Sequence, residues 1–190
     1  MRASITGIGY VGLVSGTCLA KTGNYVLCID IDKKKVDIIK KGIVPMYKPH
    51  LEVLIPRIET YFDNNINGKT FAIWGLAFKP ETDDMRESPS IELITELTKK
   101  GAVITAYDPA AMVEAKPYLP ASITYAENTA SCLTGADCAV LVTEWNEFRA
   151  LTPLGFTELM AGNVLVDLRN VYDPSAIRAA NIHYSSIGRA

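Results

Sequence analysis

The stretch ASITGIGYVGLVSGTCLAKTGNYVLCIDID, residues 3–32, decides the fold. An apolar run reaches Gly7 and a helix-compatible segment follows. Lys21-Thr22-Gly23 stops it, and a second apolar run ends in Asp30. Strand, helix and strand in this order close a right-handed unit with its two strands parallel. The runs are continuous rather than alternating, which suits strands covered on both faces. Within the turn, Gly7-Ile8-Gly9-Tyr10-Val11-Gly12 is G-x-G-x-x-G, placed after a strand and opening a helix. Gly7 permits the tight turn, Gly9 lets backbone approach a pyrophosphate, and Gly12 lets helix and strand pack closely. Free amides at the helix start, those of Tyr10 and Val11 among them, suit phosphate oxygens. Asp30, eighteen residues after Gly12, is placed to accept from the ribose hydroxyls, which selects NAD over NADP. Lys35 completes the cofactor candidates, its alternative being a solvated helix start.

Residues 69–109, KTFAIWGLAFKPETDDMRESPSIELITELTKKGAVITAYDP, repeat the layout: strand, Gly75, loop, helix, Gly101, strand, Asp108. Beyond them, 128–133 read as helix, 138–143 as strand, 156–160 as helix, 164–168 as strand, 177–180 as a short helix and 183–187 as a last strand. About five strands from Lys69 onward predict an α/β fold, a doubly wound Rossmann-like parallel sheet with helices on both faces. Pro45, Pro49 and Pro56, a helix over 57–62 and the polar Asp63-Asn64-Asn65 mark a linking region. The expected division is residues 1–55 as the N-terminal half of an NAD-binding Rossmann domain, 56–68 as connector, and 69–190 as a second Rossmann-like domain. The first part holds two strands where a complete dinucleotide domain has about six. Roughly 55 residues do not bury an adequate core alone, so the NAD site is incomplete.

Composition narrows the function. With 48% hydrophobic and 21% charged residues and a net charge of −2, nothing points to nucleic acid or an anionic membrane surface. No apolar run approaches the roughly 18 residues that span a bilayer, and the N-terminus lacks the pattern of a signal peptide; the expectation is a cytoplasmic protein. Cys18, Cys28, Cys132 and Cys138 form no CxxC pair and sit in apolar segments, so they are expected to be small buried hydrophobes, with no metal site and no disulfide framework. In the second segment, Ser88 caps a helix and Pro89 fits its first turn. Lys79 and Arg86 bring positive charge to the same rim, suited to a diphosphate. The plainer readings are a solvated Lys79, an Arg86 paired with Asp83, Asp84 or Glu87, an Arg169 paired with Asp167, and a Trp145 that only packs. Asp83 and Asp84 shape the loop rather than doing acid–base work.

Residues 68–90, GKTFAIWGLAFKPETDDMRESPS, resemble the opening of the nucleotide-sugar-binding domain of UDP-glucose and GDP-mannose dehydrogenases. The resemblance continues through Ala106-Tyr107-Asp108-Pro109, 143–148 (TEWNEF), 167–172 (DLRNVY) and Ser186-Ile187-Gly188-Arg189. It also takes in GIGYVGLVSGTCLA, CIDIDKKKV and PMYKPHLEVLI nearer the start, and so covers almost the whole chain. It implies that Phe78 and Lys79 contact a UDP-sugar and that Arg169 meets its phosphate or sugar from the other side. UDP-glucose or UDP is the implied ligand, favoured over a GDP-sugar by how TEWNEF and DLRNVY look. The family oxidises the sugar C6 alcohol to a carboxylate in two NAD-dependent steps through a cysteine thiolate held in GFGGxCxPKD. That motif does not occur in these 190 residues. The resemblance jumps, near residues 55–56, from the start of the NAD domain to just before the sugar-nucleotide domain, so no catalytic residue is assigned. A homo-oligomer or a complementing chain both stay open.

Overall fold

The computed structural model describes residues 1–41 and 51–187, apart from the side chains of Tyr10, Val11, Lys35, Ile38, Leu51 and Glu52. Side-chain contacts of Tyr10, Val11 and Lys35 with a cofactor, the Pro45 and Pro49 signals, and the Gly188-Arg189 end of the resemblance therefore lie outside the described residues. The chain forms two compact units, Met1–Pro49 and His50–Ala190.

The first unit is β1 (Arg2–Thr6), α1 (Tyr10–Lys21), β2 (Tyr25–Ile29) and α2 (Lys33–Lys40). β1 and β2 pair in parallel, Ala3 opposite Val26 and Ile5 opposite Cys28, as the 3–32 stretch predicts. α1 lies close on the strands: a Cβ on Gly16 would sit 3.0 Å from Cys28 Sγ and 3.3 Å from Ile5 Cδ1. Among the described side chains of this unit Ile8 is the one buried hydrophobe. Cys18 and Cys28 are exposed, which corrects the expectation that all four cysteines are buried. The cause is that a two-stranded sheet has too few neighbours to cover both faces of β2.

The second unit runs α3 (Leu51–Glu59), a 3-10 turn Thr60–Phe62, β3 (Thr70–Trp74), α4 (Pro89–Lys99), β4 (Val103–Tyr107), α5 (Met112–Ala115), β5 (Thr124–Tyr125) and α6 (Thr129–Leu133). It continues through β6 (Cys138–Leu141), a 3-10 turn Asn146–Ala150, α7 (Pro153–Leu159), β7 (Val164–Asp167), α8 (Pro174–Ala179) and β8 (His183–Ser186). Its six strands, all parallel, lie in the order β5-β4-β3-β6-β7-β8. The alternation along β3 feeds two cores. Phe71 and Ile73 join Leu93, Ile94 and Leu97 of α4 on one face. Ala72 and Trp74 join Cys132, Leu133, Phe156 and Ile177 of α6, α7 and α8 on the other. Helices on both faces make this the doubly wound sheet expected.

Two boundaries differ from the sequence reading. The chain divides after Pro49 rather than near Ile55. Residues 56–68, expected as connector, belong to the second unit: α3 starts at Leu51 and carries Pro56 inside it, and Ile55, Ile58 and Ile66 are core residues. An internal proline removes one helical hydrogen bond and is read in a sequence as a stop, yet burial of Ile55 and Ile58 outweighs that loss. No described helix is long and apolar enough to cross a membrane.

Candidate functional site

In the second unit the strand order reverses between β3 and β6, one running on to β4 and β5, the other to β7 and β8. Ligands of open α/β sheets bind outside the carboxyl ends of the strands at such a reversal. Gly75 ends β3 there with φ +89°, a conformation that costs a side-chain-bearing residue energy. A Cβ on Gly75 would lie 2.5 Å from the Thr143 Cβ beyond β6, so the two strand ends meet tightly.

The segment 76–88 leaves β3 across this rim and is tied down along its length. Asp108 Oδ2 accepts the amides of Leu76 (2.7 Å) and Ala77 (3.1 Å) and the indole N–H of Trp145 (3.3 Å). Its Oδ1 accepts the amides of Ala110 and Ala111. Trp145 is therefore a packing and anchoring residue. The Thr143 hydroxyl donates to Ala77 O (2.7 Å), and Ser88 and Ser90 both donate to Leu76 O (2.6 Å each). The Phe78 amide closes the loop on Asp84 O (2.9 Å). Ser88 then caps α4, accepting from the Ser90 amide, with Pro89 following. This fixed loop presents Phe78, half exposed, and Lys79, which makes no ion pair among the described residues.

The two arginines are held otherwise. Arg86 forks onto Asp84, Nε at 2.9 Å and one Nη at 2.7 Å from its two oxygens. That hydrogen-bonded guanidinium holds the partly exposed Asp84 carboxyl down at about 2, with Lys79 adding to the same effect. Of the alternatives open for Arg86, pairing with Asp84 is the one the structure shows, and the carboxylate indeed shapes the loop. Arg169, just past β7, pairs through Nε with Glu144 beyond β6 rather than with Asp167. The buried Asp167 carboxylate is already taken by the amides of Arg169 (3.0 Å) and Tyr172 (3.0 Å) and the Tyr184 hydroxyl (2.8 Å). Sequence reasoning missed the neighbours of Arg169. Asn170, at φ +57°, donates to Ile187 O (3.0 Å), while its Oδ1 and the Ser186 hydroxyl are buried without a partner among the described residues. Their one signal is the tolerance of asparagine for positive φ.

The first unit repeats the turn on a smaller scale. The Gly7 amide donates to Ile29 O at 2.7 Å, as that of Gly75 does to Tyr107 O at 2.8 Å. The Ile8 amide donates to Asp30 Oδ2 at 2.8 Å, as that of Leu76 does to Asp108. Asp30 Oδ1 accepts the Asp32 amide, so this carboxylate also shapes its loop. A Cβ on Gly12 would fall 1.9 Å from Gly7 O, whereas Cβ atoms on Gly7 and Gly9 would meet nothing within 4 Å. Close packing at Gly12 and open space at Gly9 are what a pyrophosphate-binding turn needs, and Gly9 caps α1 without a side-chain bond among the described residues, as suits first-turn amides that meet a ligand. The residues present fit the phosphate half of a dinucleotide.

Comparison with known proteins gives a consistent picture. Residues 72–174 match the UDP binding domain of the UDP-glucose/GDP-mannose dehydrogenase family, and residues 1–70 match its NAD binding domain. The UDP-glucose 6-dehydrogenase YwqF of Bacillus subtilis is 32% identical over 183 residues, which is 96% of this chain and 40% of that protein. The UDP-glucose 6-dehydrogenase of Rhizobium meliloti is 41% identical over 125 residues, 66% of this chain and 28% of that protein. The solved UDP-glucose dehydrogenase of Pyrobaculum islandicum superposes with a TM-score of 0.62 at 27% identity, over 83% of this chain and 35% of the other. An NDP-N-acetyl-D-galactosaminuronic acid dehydrogenase from Methanosarcina mazei gives 0.67 at 22% identity, over 94% and 36%, a likeness of fold. The chain thus spans 28–40% of the length of the curated relatives it matches.

Proposed function

This chain belongs to the UDP-glucose/GDP-mannose dehydrogenase family, and from that premise we propose that it binds a UDP-sugar on the rim of its second unit without oxidising it. The observation that carries the reading is the anchored 76–88 loop, which holds Phe78 and Lys79, a cation with no ion pair among the described residues, beside the strand-order reversal. Lys79 supplies charge for a diphosphate, and Phe78 supplies an apolar surface for a base or sugar. Arg86 and Arg169 sit in ion pairs and would exchange or share a carboxylate with the phosphates. The curated relatives are named as UDP-glucose dehydrogenases, which favours UDP-glucose over other nucleotide sugars. What supports the lack of catalysis is that GFGGxCxPKD does not occur in these 190 residues, so the family's cysteine that captures the aldehyde is not among them.

In the first unit Gly7, Gly9, Gly12 and Asp30 would hold the adenosine and pyrophosphate part of NAD. When bound, NAD supplies hydride acceptance; these residues orient its phosphates and do no more. Four free cysteines accord with a cytoplasmic setting.

Calorimetric titration of the purified chain with UDP, UDP-glucose and NAD in turn tests the reading. Heat from UDP and UDP-glucose, reduced about tenfold in affinity by Lys79→Ala, is the expected result. Absence of heat from either uridine ligand overturns the binding, and NADH formed from UDP-glucose by the pure chain overturns the lack of catalysis.

A further inference from the structure

The two βαβ segments differ most at one edge. In the second unit β3 is flanked by β4 on one side and β6 on the other, with Phe71 opposite Cys138 and Trp74 opposite Leu141. In the first unit β1 is paired with β2 alone among the described residues. Matching turns align the strands: Gly7 with Gly75, and Thr6 with Trp74. The side of β1 facing away from β2 therefore corresponds to the side of β3 that β6 occupies. The Val142 amide donates to Trp74 O and the Asp137 amide to Thr70 O. By the same two-residue period, Arg2, Ser4 and Thr6 direct their backbone groups to the free side of β1.

Three further observations mark this side as a seat for chain. Gly7 has nothing within 4 Å of its built Cβ, whereas Gly75, at nearly the same φ, meets Thr143 at 2.5 Å. An open trough of about 630 Å³ lies between α1 and the end of β1, its lining including Ile5, Thr6, Gly7, Gly9, Ser15 and Leu19. On β2, Tyr25, Leu27 and Ile29 are 67%, 50% and 47% exposed. Of their counterparts on β4, Val103 is likewise half exposed, while Thr105 and Tyr107 are partly covered, Tyr107 packing against the core to which α6 belongs. In the second unit one continuous helix–strand piece, α6 followed by β6, both covers that face and fills that edge.

We propose that the free edge of β1 and the Tyr25-Leu27-Ile29 face bind a parallel helix–strand unit from a second polypeptide. That polypeptide carries the part of the family's dinucleotide-binding domain which this chain lacks. The occupant follows from the chain itself. Its two family matches abut at residues 70 and 72 while it spans at most 40% of the relatives compared, and its own second unit shows which element seats on such an edge. The required strand is short, apolar and parallel, like Cys138–Leu141, preceded by a helix whose apolar side meets Leu27 and Ile29. This association rests on the first unit and is independent of UDP-sugar binding by the second.

The test co-expresses the full 190-residue chain with the polypeptide lying between the two matched ends of a full-length relative. A stoichiometric complex in sedimentation, with the Ser4 and Thr6 amides newly protected from hydrogen exchange, is the expected result. Ser4→Pro removes an edge amide but none that faces β2, and is expected to weaken the complex about tenfold. No complex, or a complex that leaves the Ser4 and Thr6 amides unprotected, overturns the proposal. So does self-association of this chain alone that protects the same two amides, because the edge then belongs to a second copy.

Discussion

Asp108 accepts five hydrogen bonds from inside the second unit, four of them from backbone amides. Asparagine has the same shape but turns an N–H₂ toward amides that need an acceptor. Asp108→Asn is therefore expected to cost about 2–4 kcal/mol in urea unfolding, as buried donors lose their partner. Gly75→Ala joins a positive φ to a clash with Thr143 and is expected to cost about 2–4 kcal/mol in the same assay. At Asp84 the expectation concerns pH. Its carboxyl sits at about 2 against the ordinary 3.8, chiefly through the Arg86 hydrogen bond. A depressed folded value gives a contribution present above about pH 3.8 and lost as pH falls through about 2. Arg86→Ala should return Asp84 toward its ordinary value in an NMR titration, and an unmoved midpoint would refute the assigned cause. The Arg86 pairing was legible because its partner is two residues away. Glu144 as partner of Arg169 was not, since a separation of 25 positions closes only when β6 and β7 lie side by side.

Helix α4 was readable from both its ends: Ser88-Pro89 at the start, Lys99 and Gly101 at the finish, and Leu93, Ile94 and Leu97 spaced to share one buried face. Its cap does a second job, because Ser88 also donates to Leu76 O. Ser88→Ala is expected to cost about 1–2 kcal/mol and to loosen the rim, seen as faster exchange of the Leu76 and Ala77 amides. α3 was partly hidden, since Pro56 interrupts the helical signal while Ile55 and Ile58 still reach the core. β5 was missed altogether: two residues, Thr124 and Tyr125, pair with β4 at the sheet edge, too few to show a period. Apart from the tolerance of Asn170 for positive φ, the burial of Asn170 Oδ1 and the Ser186 hydroxyl, without a partner among the described residues, could not be read from the sequence, because burial at a rim depends on neighbours from separate strands.

Across the whole molecule, the contrast between the units gives a chemical signature. Cys18 and Cys28 are exposed, whereas Cys132 and Cys138 are buried; burial pushes the Cys132 thiol up to about 12 and that of Cys138 higher still. Brief alkylation of the native chain near pH 8, read by mass spectrometry, should label the first pair and spare the second. Labelling of Cys132 or Cys138 at a comparable rate would contradict the packing described for the larger sheet. Each glycine turn is hooked to the acid that ends the next strand, Ile8 to Asp30 across 22 residues and Leu76 to Asp108 across 32. By contrast, β3 meets β6 only from Phe71 to Cys138 and beyond. Short loops close at lower entropic cost than long ones. The two hooks are thus natural first events as the chain emerges from the ribosome, and the β3–β6 seam is a late one that must wait for most of the polypeptide to be made.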